Sequence, residues 1–256
     1  MARSAPTTII ATALHGLPEV HPGDDPVRLV AEPLRGEHVR ADDVLVVAHK
    51  LISKAEGRTR RLGDVRPGAR ARQLAQRLDK DPRLVQVVLD ESREVRRAER
   101  GVLIAVTRHG FVCANAGVDA SNAPDDDTVI LLPTDPDRSA RALRAGLREL
   151  LGVAPAVLIT DSFGRAWRTG QCDVAIGCAG LMALDDWRGR TDFRGRELRA
   201  TVIAVADQLA AAADLARAKD AMQPAVLVRG AGRWVIAEDG AGIAPLLRDP
   251  EHDLFR

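Results

Sequence analysis

Two short apolar runs, Val102-Leu-Ile-Ala-Val-Thr107 and Phe111-Val-Cys-Ala114, flank the tripeptide Arg108-His109-Gly110. Runs of that length and composition read as strands, and a compact connection ending in Gly reads as a β-hairpin. His109 falls inside the connection and is read as a turn residue, not a ligand. A hairpin in mid-chain is incompatible with a sheet made only of parallel βαβ units.

Other strands stand singly between helices. Thr8-Ile-Ile-Ala-Thr12 and Val44-Leu-Val-Val-Ala48 are apolar, the second introduced by Asp42-Asp43, and residues 50–56 follow as a loop or helix start. Ala71, Leu74, Ala75 and Leu78 recur at helical spacing, which predicts a helix over 70–78 stopped by Asp81-Pro82 and a second one over 82–92. Further strands are expected at 128–132, 156–160 and 224–229. Helices are expected at 139–151, opened by an Asp-Pro-Asp-Arg-Ser cap and closed near Gly152, and at 204–218. Hairpins mixed with singly placed strands define an α+β fold. No GxGxxG follows a strand and no Walker A motif occurs, which disfavours the common dinucleotide and P-loop folds.

The bulk numbers remove several function classes. The chain carries 37 basic and 36 acidic residues, a net charge of +1, so no global field points to nucleic acid. Local clusters (Arg58, Arg60, Arg61; Arg93, Arg96, Arg97, Arg100) read as solvated faces, the second interrupted by Glu94 and Glu99. No apolar run approaches the roughly 20 residues of a membrane helix, and no signal-peptide core is present. Cys113, Cys172 and Cys178 have no metal-ligand spacing and suggest unpaired thiols in a reducing cytoplasm. Cytoplasmic localisation is therefore expected.

The chemistry concentrates at two strand ends. Asn115-Ala-Gly-Val-Asp119-Ala-Ser-Asn122 places a Gly, a carboxylate, a hydroxyl and two carboxamides after the second hairpin strand. The bland alternative is a self-bonded turn, which accounts for one such polar residue better than for four. Val157-Leu-Ile-Thr160-Asp161-Ser162-Phe163-Gly164-Arg165 repeats the pattern, and here Asp161 is either an N-cap or a site carboxylate. Two carboxylates delivered from two strand ends suit a hard divalent cation, with Ser162 adding a hydroxyl. Lys50, Lys54 and Arg168 follow apolar strands as candidate polyphosphate contacts, and Arg165 could neutralise transition-state charge; alternatively all are exposed basic side chains. Gly16-Leu17-Pro18-Glu19-Val20 is a rigid turn, either a nucleotide-gripping loop or a connection.

In order, these blocks resemble the GTP-dependent ligases that add γ-linked glutamates to coenzyme F420. The resemblance rests on Gly16-Leu-Pro-Glu-Val20, Gly23-Asp-Asp25, Ile52-Ser-Lys-Ala-Glu-Gly-Arg58, Asn115–Asn122, Asp135-Pro-Asp137, Ile159–Arg165, Asp186-Trp187 and Gly195-Arg-Glu-Leu198, and runs from about Gly16 to Arg229. It implies two intertwined α+β domains in one ligase module, with possible subdomains over 1–92 plus 200–256 and over 93–199, working as a homodimer. It implies GTP, L-glutamate and F420-0 as substrates, GDP as a product, and an acyl-phosphate intermediate. Manganese or magnesium, as one or two ions, would sit on Asp119, Asp161 and Ser162, with potassium a further candidate ion. Leu17, Pro18, Glu19, Val20, His49, Lys50, Lys54 and Asn122 would face GTP. Asp119, Asp161, Lys54 and Arg165 would be the catalytic set. Where some relatives carry a glycine-rich loop, this chain has Arg217-Ala-Lys-Asp-Ala-Met-Gln223. Two alternatives remain open: the same chemistry on a variant acceptor, or a nucleotide-binding protein without ligase activity.

Overall fold

The computed structural model describes residues 8–253. In chain order the elements are β1 (Ile10–Ala13), α1 (Pro26–Gly36), β2 (Val44–Ala48), α2 (His49–Ala55), β3 (Thr59–Arg61), α3 (Ala69–Leu78), α4 (Pro82–Asp90), β4 (Ser92–Glu99), β5 (Val102–Thr107), β6 (Val112–Ala114), β7 (Thr128–Ile130), α5 (Pro136–Leu151), β8 (Ala156–Arg165), β9 (Arg168–Ala179), β10 (Asp185–Asp186), β11 (Val202–Ile203), α6 (Val205–Ala216) and β12 (Ala225–Arg229).

One device starts three of the helices. Asp25, Asp81 and Asp135 each precede a Pro at the first helical position, and each carboxylate accepts a backbone N–H of the first turn, from Val27, Arg83 and Arg138 at 2.9, 2.8 and 2.9 Å. The carboxylate satisfies an orphan donor, while Pro has no N–H to lose there. Asp81-Pro82 therefore opens α4; α3 already ends at Asp79, whose φ is +53°.

The main sheet has the order β1-β12-β2-β8-β9, with β2 and β8 parallel and the other neighbours antiparallel. Its central strands are apolar on both faces because helices cover it: α5 packs on β8 and β9 from one side, and α6 packs on β9, β1 and β12. Leu45, Leu143, Leu147, Leu158, Ile159 and Leu209 belong to this core. Separate sheets, β4-β5-β6 and β3-β7, pack with α3 and α4 around Leu78, Val88, Leu103, Val118, Val129 and Leu131. Mixed sheets with both hairpins and helix-linked strands confirm the α+β class.

Two expectations need correction, and one open reading is settled. The helix predicted over 82–92 stops at Asp90, and the basic cluster at 93–100 belongs to strand β4, paired with β5 along its length. Its register shifts twice, which broke the alternation that would have exposed it as a strand. Strand 156–160 continues to Arg165 and folds back as β9, so no helix follows Asp161 and the N-cap reading of that residue falls. Residues 50–56 are resolved in favour of helix, as α2.

Candidate active site

Asp119 is aimed by the turn before it. Asn115, Ala116 and Gly117 have φ of +51°, +52° and +73°, and a Cβ at Gly117 would lie 2.7 Å from Leu132 Cγ. Only glycine fits that close approach without strain. Emerging from the turn, Asp119 exchanges two backbone hydrogen bonds with Ile130, at 3.0 and 2.8 Å. Its carboxylate then meets Lys50 on α2. The Lys50 ammonium donates to Asp119 Oδ2 (2.6 Å), Ser121 Oγ (2.6 Å) and the Ser121 carbonyl (2.9 Å). Ser121 in turn donates its backbone N–H to Asp119 Oδ1 at 2.7 Å and its hydroxyl to Oδ2 at 2.8 Å. Burial by itself would raise the Asp119 pKa, but the Lys50 and Ser121 hydrogen bonds outweigh it and leave the group below the ordinary carboxylate range. Asp119 is therefore anionic at neutral pH.

Asp161 reaches the same helix from the main sheet. Its Oδ1 accepts the Ser162 N–H at 2.8 Å and lies 3.3 Å from His49 Nε2, without an aligned hydrogen bond. His49 is buried at the start of α2, its Nδ1 3.1 Å from Ser53 Oγ. Cys113 on β6 senses the same carboxylate: its thiol is pushed up to about 12, first by burial and then by the Asp161 charge. That thiol stays protonated and is no nucleophile. The consecutive residues His49 and Lys50 of α2 thus each face a carboxylate, Asp161 from β8 and Asp119 from the β6–β7 connection, more than forty positions apart in sequence.

Lys54 lies one turn beyond Lys50 on the same face of α2, and its ammonium is 3.6 Å from Glu19 Oε1. Glu19 and Pro18 are exposed, whereas Leu17 and Val20 anchor their loop in the core, so only the backbone of the latter two could meet a ligand. Asn122 is exposed in the Asp119 loop, with φ of +57°. Two expected residues stand apart. Arg165 lies at the β8–β9 turn, its guanidinium 3.4 Å from the Thr169 carbonyl; at 3.3 Å per residue it is about 13 Å along the strand from Asp161. Ser162 points to the opposite strand face from Asp161, where its hydroxyl donates to Asp173 Oδ1 at 2.6 Å and accepts from Lys219 at 3.0 Å.

A model of the F420-0:gamma-glutamyl ligase family matches residues 16–230. The chain belongs to that family. Proteins named coenzyme F420:L-glutamate ligase are similar to it over nearly their whole length. The one from Haloarcula marismortui is 45% identical over 251 residues, covering 95% of this chain and 94% of the relative. The one from Methanopyrus kandleri is 46% identical over 240 residues (93% and 94%), and that from Methanothermobacter thermautotrophicus 44% over 246 (95% and 97%).

In this family member the oxygen set around Lys50 fits a hard cation, since a carboxylate, a hydroxyl and a carbonyl already surround a positive charge. Among the described residues no group of three or more His, Cys, Asp or Glu side chains gathers at metal-binding distance. Also among the described residues, no helix is long and apolar enough to cross a membrane. A cleft of about 350 Å³ between α1, α2 and α5 is lined by Val27, Ile52, Glu56, Ser139 and Leu143, not by these carboxylates. The sequence reading overlooked Asp173 and Arg217, which meet from different elements.

Proposed function

We propose that this chain is a GTP-dependent ligase that joins L-glutamate through an amide to the terminal carboxylate of F420-0, then extends the product through γ-linkages. The carrying observation is that Asp161 and Asp119 contact consecutive residues of α2, His49 and Lys50. Family membership and the names of the relatives supply the acceptor and the amino acid. A carboxylate is a poor electrophile, so the γ-phosphoryl group of GTP passes first to the acceptor oxygen, releasing GDP. The glutamate amine then attacks the acyl carbon, phosphate departs with the former carboxylate oxygen, and the amine loses its proton.

Each step assigns work to named side chains. Lys50 and Lys54, on one face of α2, neutralise the phosphates, and the loop anchored by Leu17 and Val20 presents its backbone to the nucleotide. Asp119 and Asp161 would hold manganese or magnesium, which when bound offsets charge on the transferring phosphoryl group. No covalent enzyme intermediate is needed, in keeping with the protonated Cys113 thiol. An acyl phosphate hydrolyses readily, and the Phe163–Phe111 edge contact, with ring centroids 6.1 Å apart two residues beyond Asp161, forms an apolar wall against water. The homodimer and potassium rest on the resemblance alone, while Arg165 as a charge-neutralising group and Ser162 as a ligand rest on their place in the motif following Asp161.

The test is incubation of the protein with GTP, manganese, L-glutamate and F420-0, followed by mass spectrometry. Stepwise glutamyl additions with matching GDP are expected. GTP binding without either product would refute this acceptor and redirect the assay to variant acceptor acids.

A further inference from the structure

Behind Asp161, on the other face of β8, lies a buried polar bracket that the proposed chemistry does not use. Asp173 on β9 is 1% exposed and stands directly opposite Ser162. Its two oxygens accept from the residues flanking Asp161: Oδ2 from Thr160 Oγ1 at 2.8 Å and Oδ1 from Ser162 Oγ at 2.6 Å. Arg217, which follows α6 and is largely buried, donates to Asp173 Oδ2 and, at 3.1 Å, to Thr160 Oγ1. Lys219 closes the open side, 3.0 Å from Ser162 Oγ and 2.8 Å from Asp214 Oδ1.

A buried ion pair contributes little net stability compared with apolar packing, so its presence in the middle of two paired strands calls for another reason. The register offers one. The β8–β9 ladder shifts between Ile159 and Thr160, where β9 carries one extra residue, Ile176, so the local pairing that would hold residues 160–162 of β8 is disrupted from the partner strand. Tying residues 160 and 162 to one carboxylate restores that hold, and alternation then turns residue 161 to the face of His49.

We propose that Asp173 is a positioning residue that, with Arg217, fixes the direction of Asp161 by holding Thr160 and Ser162. This rests on Asp161 working in the site proposed above. Thr160 is fully buried and touches no substrate, so it isolates the effect. Thr160→Val deletes one arm of the bracket while Asp173 keeps Arg217 as partner; Thr160→Ser keeps the hydroxyl. Manganese affinity, read by paramagnetic resonance of the free ion, is measured on both with kcat, KM and melting temperature. Groups that orient metal ligands affect affinity or turnover by about 10- to 100-fold. We expect Thr160→Val to lose on the order of tenfold in manganese affinity and in kcat with KM for glutamate little changed, and Thr160→Ser to restore both. Wild-type affinity and kcat in a folded Thr160→Val protein overturns the inference, as does a Thr160→Ser protein no better than Thr160→Val at equal melting temperature. Should Thr160→Val fail to fold, Asp173→Asn measured beside Asp173→Glu takes its place, with the same result expected and the same refutation. Asp161→Asn runs alongside: its loss of manganese binding with an unaffected Thr160→Val protein refutes the bracket alone, whereas an unaffected Asp161→Asn protein refutes the site itself.

Discussion

Lys50 has two demands on it that cannot be met at once. Its ammonium lies 2.6 Å from Asp119 Oδ2, inside the oxygen set that suits a divalent cation, yet the ligase chemistry wants it on a phosphate. A metal ion arriving at Asp119 must displace it. Replacing Lys50 by Met keeps an unbranched apolar stem and removes the competitor. At 2.6 Å and an effective dielectric of 20, the gross attraction is about 6 kcal/mol. Asp119 is 43% exposed and Lys50 20%, so solvent screening brings the net worth of the pair down to about 1 kcal/mol. Manganese affinity should thus rise about fivefold in Lys50→Met. GTP loses a charge-assisted contact of about 2 kcal/mol, and its affinity should fall about thirtyfold. A paramagnetic-resonance titration reports the first change and calorimetry the second. Opposite signs are the signature; manganese affinity that falls with that of GTP, or stays constant, refutes the competition. Stability carries a matching mark. Because the folded-state pKa of Asp119 is depressed, its contribution is present above the unfolded value near 4 and lost as pH falls through the folded value. In Lys50→Met the main lowering partner is gone, so the melting temperature should depend less on pH between about 5 and 3.

Three further outcomes are expected. Lys54→Ala should raise KM for GTP while leaving the melting temperature nearly unchanged, since its partner Glu19 is half-exposed; an unchanged KM would remove Lys54 from the nucleotide site. Gly177→Ala should lower the melting temperature on the order of 5 °C, because a Cβ there would lie 2.5 Å from the Pro136 carbonyl carbon and 2.6 Å from its oxygen, both backbone; an unshifted melt would show that β9 and α5 separate more easily than their packing implies. Burial raises the pKa of Asp207, which accepts the Ala175 N–H at 2.9 Å. Its contribution is therefore present below the unfolded value and lost as pH rises through the folded value, so Asp207→Asn should melt higher at pH 7 with no gain at pH 3. A gain that is the same at both pH values would contradict that sign.

Local chemistry made much of this legible. The Asp135-Pro cap marked the start of α5, whereas Asp81-Pro82 was read as a stop and instead opens α4; the Arg108-His109-Gly110 turn marked the β5–β6 hairpin, and the motif order carried the family. Strands β4 and β9 escaped because their composition is wrong for strands read alone. Five of the eight residues of Ser92–Glu99 are charged, and Arg168–Ala179 opens with exposed polar residues beyond the helix-covered part of the sheet. Their pairing supplies what their propensity lacks. Within the site, Asp119 and Asp161 stand out as carboxylates after apolar runs, although β8 carries Asp161 in its middle, and Ser162 was assigned by its neighbour and not by its strand face. Alternation along β8 would have sent it away from Asp161, and the spacing of Thr160 and Ser162 was the one local signal for the bracket on Asp173. Nothing local announces Arg217, which meets Asp173 from 44 positions away.

The most direct test starts from F420-0 whose terminal carboxylate carries oxygen-18 in both positions. The protein turns it over with GTP, manganese and L-glutamate, and the released phosphate is analysed by mass spectrometry. Transfer of the γ-phosphoryl group to the acceptor predicts one labelled oxygen in the phosphate released with the first glutamate, unlabelled phosphate from each later γ-linked addition, and one glutamate added for each GDP. Mono-glutamyl product formed with only unlabelled phosphate would contradict an acyl phosphate and require that GTP cleavage drive the ligation by another route.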